Sequence, residues 1–126
     1  MKKRESFLAF YYLINECFFA CKDELSEDEN FYLAGFASSI CPELWGCGKP
    51  ITDADFDLWA AQIDTEALNK DNMAEAAVRF LDYYENRFQF DFKKAKETLR
   101  RIATPQMVED ALDYARDMYE EYDYDD

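Results

Sequence analysis

Four cysteines are the residues of this chain best suited to metal chemistry: Cys17, Cys21, Cys41 and Cys47. Four thiolates can hold zinc tetrahedrally. The spacings are C-x3-C and C-x5-C, whereas zinc knuckles bring ligands in as tight C-x2-C pairs. Cys17 and Cys21 also fall on an apolar helical stripe, where a cysteine acts as a small buried hydrophobe. The expectation is no metal, with a zinc-stabilised regulatory protein as the alternative. A disulfide between the two pairs is not expected.

Other chemistry is thinner. "DADFD" sets Asp53, Asp55 and Asp57 at alternate positions, as a calcium loop begins. The sixth position is Leu58 instead of glycine and the twelfth is Asp64 instead of glutamate. Acidic residues at a helix start explain the run better. Gly46 and Gly48 are not followed by the Gly-Lys-Ser/Thr of a phosphate loop. The chain has no histidine, so neither Ser-His-Asp nor Cys-His catalysis can be built within it. Carboxylates are too numerous for any pair to stand out. The expectation is a protein that is not an enzyme and needs no cofactor.

Charge gives a stronger signal. Asp and Glu number 28 against 14 Lys and Arg, a formal net charge of −14. Such a field repels phosphates and anionic lipid and speeds encounter with basic partners. Lys93, Lys94, Lys96, Arg100 and Arg101 gather 5 of the 14 cations in one short helix. Direct nucleic-acid binding is not expected from them against the overall charge. A match with the acidic last helix is. From Asp117 to Asp126 there are six acidic residues and no basic one. Along the last helix and tail, Tyr114, Tyr119, Tyr122 and Tyr124 are interspersed with Asp113, Asp117, Glu120, Glu121, Asp123 and Asp125. Aromatics supply contact area and carboxylates select cations, so Asp113, Asp117, Glu120, Glu121, Tyr122 and Tyr124 form the candidate partner-binding face. Trp45, in a glycine-rich connection, is the second candidate; it either covers the core or is displayed as an anchor.

The elements that must position these residues are helical. A first helix, about Glu5 to Lys22, carries Phe7, Phe10, Tyr11, Ile14, Cys17, Phe18 and Cys21 at helical spacing. Leu8, Leu13 and Phe19 widen that stripe, so this is the expected core helix. Ser26 and Glu29 make a capping box for a second helix with Leu33, Phe36, Ala37 and Ile40 inward. Pro42, Gly46, Gly48 and Pro50 then punctuate a connection over 41–51, and Thr52 caps a third helix with Phe56, Trp59, Ala60 and Ile63.

Asn72 and Glu75 predict another capping box, before Met73, Ala77, Phe80, Leu81, Tyr84 and Phe88. "RFQFDF" reads as an anchored turn between helices. Asp91 then caps a helix with Ala95, Leu99 and Ile102 inward. Thr104-Pro105 opens the last helix, cap then proline at the first turn, with Val108, Ala111, Leu112, Ala115, Met118, Tyr119 and Tyr122 on its apolar side. The tail 123–126 should fray.

The chain therefore predicts a compact all-α, bundle-like array of about six helices in one domain over 1–126. Asn15 and Glu16 interrupt the apolar run near the start, which argues against a signal peptide. No stretch is apolar enough to span a bilayer. The expected setting is cytoplasmic, with no membrane partner. The functional expectation is a non-enzymatic acidic protein that binds a basic partner. Its concrete form is a bacterial immunity or inhibitor protein that masks a toxin or nucleic-acid enzyme. An uncharacterised helical domain without that role is a further alternative.

Overall fold

The computed structural model describes residues 2–40, 61 and 64–122, and these are all-helical. Five α-helices follow in order: α1 (Lys3–Cys21), α2 (Glu27–Ser39), α3 (Met73–Phe88), α4 (Lys93–Ile102) and α5 (Pro105–Tyr122). Single 3-10 turns lie at Lys22–Glu24 and Thr65–Ala67. The expected third helix, the 41–51 connection and the 123–126 tail lie outside the described residues.

Helix α1 is the hub. It contacts each of the other four helices. Phe7, Leu8, Ala9, Phe10, Leu13, Ile14, Cys17 and Cys21 are all buried, most of them completely. Burial on nearly every side is what an apolar-all-round helix requires. Phe19 departs from the expectation: it is 57% exposed, with its ring under the Lys22 ammonium. Phe18 is only half-buried. The last turn of α1 keeps Cys21 buried and turns Phe19 to solvent.

The caps form largely as their residue types dictate. Ser26 and Glu29 complete a reciprocal capping box. Asn30 Nδ2 donates to the Lys22 carbonyl and ties α2 to the preceding turn. Thr104 Oγ1 accepts from the Met107 N–H and starts α5. The Asn72–Glu75 capping box does not form. Asn72 precedes the helix in the right-handed region, with φ −115° and ψ −2°, and makes no side-chain cap. Its amide instead accepts from Asn69 N–H and donates to the Ala67 carbonyl. Asn69 Oδ1 takes the N–H groups of Asp71 and Asn72. The cap has moved back one turn, because an Asn offers the backbone an alternative turn wherever the chain bends.

"RFQFDF" is a turn between helices, as its spacing suggests. Gln89 closes α3 in the left-handed region at φ 58°, and Phe90 N–H returns to the Glu85 carbonyl at 3.1 Å. Phe92 is fully buried and Phe90 half-buried, while Phe88 is 42% exposed. Phe88 was expected inward with the rest of its stripe, but α3 ends there and, among the described residues, no helix covers it. Asp91 accepts from Lys93 N–H. The Phe92 N–H is satisfied by the Glu85 carboxylate at 2.6 Å.

The buried residues form one core. Phe10 stacks on Phe80, and Phe7 meets the same ring edge-on. Such geometries suit the aromatic quadrupole. On α5, Val108, Ala111 and Ala115 are the buried positions. Leu112, expected in the core, is half-buried. The two alanines mark the line where α5 lies against α1, and Leu112 flanks it.

Candidate functional site

Helix α5 presents Asp113, Asp117, Glu120 and Glu121 to solvent. Their spacing of four, seven and eight residues puts them on one stripe. Arg116 divides this stripe: its guanidinium lies 3.4 Å from Asp113 and 3.5 Å from Asp117. Both pairs are exposed, so each contributes little to stability. They do offset part of the local negative field. The side chain of Tyr122, and Tyr124 and Trp45 altogether, lie outside the described residues.

The nearby tyrosines do structural work. Tyr114 packs over Tyr12 and Tyr11, with ring centroids at 5.3 and 6.2 Å. Tyr119 is half-buried against the core. Burial raises the Tyr12 phenol above its usual 10.0, and the Glu16 and Asp110 carboxylates add to the rise. Tyr114 thus ties the helix of the acidic stripe to α1, and Tyr119 packs it on the core.

The basic helix does not pair with α5 in the way its composition suggested. Lys96 Nζ lies between Glu85 at 2.7 Å and Asp82 at 3.0 Å, both on α3. Those bonds, led by the one to Glu85, raise its pKa. Lys94 sits 3.6 Å from Glu24, in the turn after α1. Sequence order placed α4 and α5 side by side, but α4 packs on α1 and α3.

Cys17 and Cys21 belong to the core. Burial pushes the Cys17 thiol up to about 12, and its neighbour Cys21 adds to the shift. Cys17 Sγ donates to the Ala95 carbonyl at 3.1 Å. Cys21 is raised by burial too and shares a hydrogen bond with Thr98. Without a bound cation this environment favours the thiol over the thiolate. Among the described residues no cluster of three or more His, Cys, Asp or Glu could hold a metal ion. Cys41, Cys47 and the Asp53–Asp57 run lie outside the described residues.

One surface feature was missed. Phe31, Tyr32, Gly35 and Phe36 of α2 and Phe88 and Phe90 beyond α3 line a groove of about 340 Å³. Phe31 is 73% exposed and Tyr32 41%. The rings connect surface to core: Phe31 meets Tyr32, Tyr32 stacks on Phe90 at 4.7 Å, and Phe90 meets Phe88. Phe88 stacks on Tyr84, which packs on Phe80. The signal was present in the sequence. Phe31 and Tyr32 are two large aromatics off the inward face of α2, and only the fold brings Phe88 and Phe90 opposite them.

No protein-family model, curated protein or solved structure matches the chain. Among the described residues no helix is long and apolar enough to cross a membrane.

Proposed function

We propose that this chain is a non-enzymatic interaction protein that binds a basic protein partner. The observation that carries the reading is the solvent-facing carboxylate stripe of Asp113, Asp117, Glu120 and Glu121, held on a helix that is packed along the central one. In a chain of net charge −14, a rigid stripe of this kind steers and orients a cationic surface. The absence of histidine from the whole sequence supports a binding role over catalysis. The most concrete form is a bacterial immunity or inhibitor protein acting in the cytoplasm, where its acids mask the basic site of a toxin or nucleic-acid enzyme.

The test uses the product of a neighbouring gene that encodes a basic protein. Co-purification at low salt is expected, along with relief of any growth defect that product causes. The combined change Asp113→Asn, Asp117→Asn, Glu120→Gln and Glu121→Gln should weaken the complex mainly through slower association. Undiminished binding by that variant would move the contact elsewhere on the protein.

A further inference from the structure

Helix α2 carries a glycine with no local reason to be one. Gly35 lies within the regular helix Glu27–Ser39, where glycine is less favourable than alanine. Among the described residues, a Cβ added there would meet no heavy atom within 4 Å. Neither a turn nor a close helix approach therefore calls for glycine. What the missing side chain leaves is open space between Phe31, Tyr32 and Phe36 on one side and Phe88 and Phe90 on the other.

We propose that this groove receives the apolar anchor of a basic amphipathic protein segment. The proposal rests on the reading of the protein as a binder of basic partners and assigns that partner a docking site. Charge selects the occupant. Between Lys22 and Lys49 the chain has no Lys or Arg, so the α2 wall is purely acidic. Asp28 is exposed one helical turn before Phe31 and Tyr32, with Glu27 exposed beside it. The opposite wall is mixed: the Arg87 guanidinium lies 5.6 Å from the Phe88 ring centre, and Asp91 follows Phe90. A bound segment therefore lays its cations along α2 and its apolar side chains on the rings. A second copy of this chain is a poor occupant, since it carries the same −14 and like charges would meet. The aromatic walls stack back into the core, so little ordering is needed on binding.

The test uses the full chain and three synthetic helical peptides. One combines Lys with a Trp–Leu pair one turn apart. The second replaces that pair with Ala, and the third replaces Lys with Glu. Binding is read by fluorescence anisotropy and mapped by amide chemical shifts. The anchored Lys peptide should bind best and shift Phe31, Tyr32, Gly35, Phe88 and Phe90. Phe31→Ala should weaken it about tenfold or more, as truncation of an interface anchor does.

Gly35→Leu should fill the groove and weaken binding comparably, with the denaturation midpoint unchanged or raised, so lost binding cannot be blamed on misfolding. Equal binding of both Lys peptides, untouched by Gly35→Leu and lost with the α5 carboxylates, overturns the groove and leaves the basic-partner reading standing. Equal binding of the Glu peptide overturns the choice of a basic occupant. Failure of every peptide overturns the docking site. A dimer in sedimentation that Gly35→Leu abolishes assigns the groove to a second copy and overturns it too.

Discussion

At Cys17 and Cys21 a reactive side chain has been turned into packing. Both thiols are buried and held above the usual thiol range, so neither should react with iodoacetamide at about pH 8 until the protein unfolds. The same shift has a sign in pH. An unfolded thiol ionises near 9.0, whereas Cys17 in the fold holds its proton to about 12. Its contribution to stability is therefore complete below pH 9.0 and is lost as pH rises toward 12. Urea titrations across that window should show a steep alkaline decline that is shallower in Cys17→Ala. Gln89 is the converse case, a residue under backbone strain at φ 58°. Gln89→Gly should raise stability by about 0.5–1 kcal/mol in the same titration, because glycine adopts the left-handed region without a Cβ clash.

At the scale of elements, α4 is positioned by a polar clamp as well as by its apolar face. Glu85 accepts both the Phe92 N–H and the Lys96 ammonium. Glu85→Ala removes the carboxylate acceptor of the Phe92 N–H and leaves Lys96 with Asp82 alone, which should cost about 1–3 kcal/mol. Faster hydrogen exchange at Phe92 and through the first turn of α4 should accompany that loss. The apolar faces differ in depth. Leu99 is fully buried and Leu112 half-buried. Leu99→Ala should cost about 2–5 kcal/mol by denaturant titration, and Leu112→Ala clearly less, because its flank already meets water. A reversed order would place α5 rather than α4 deeper in the core.

For the whole molecule, charge and fold pull in different directions. A net charge of −14 on 126 residues favours association with cationic surfaces and strains the compact state by self-repulsion. Melting temperature should therefore rise as salt is raised from low to moderate ionic strength, while affinity for a basic partner falls over the same range. The acidic stripe of α5 and the groove between α2 and α3 respond differently to that change. Salt should weaken the contribution of the carboxylates, measured as association rate, far more than that of Phe31.

Periodicity and caps are local properties, and they were legible in the chain. The central role of α1, the capping box at Ser26, the Thr104-Pro105 start of α5 and the inward face of α2 all follow from side-chain type at helical spacing. The exposed carboxylates of α5 were legible for the same reason. Three features depended on how the helices meet. Lys96 took its partners from α3, since packing, not sequence order, sets which charges are neighbours. Leu112 and Phe88 left the core because an apolar stripe says which way a side chain points but not whether a helix lies there to cover it. Gly35 carries no functional signal in the sequence. Only the turn that carries Phe88 and Phe90 back beside Phe31 and Tyr32 made the space above it a groove, because a binding surface is built from residues brought together by long-range packing that no single segment encodes.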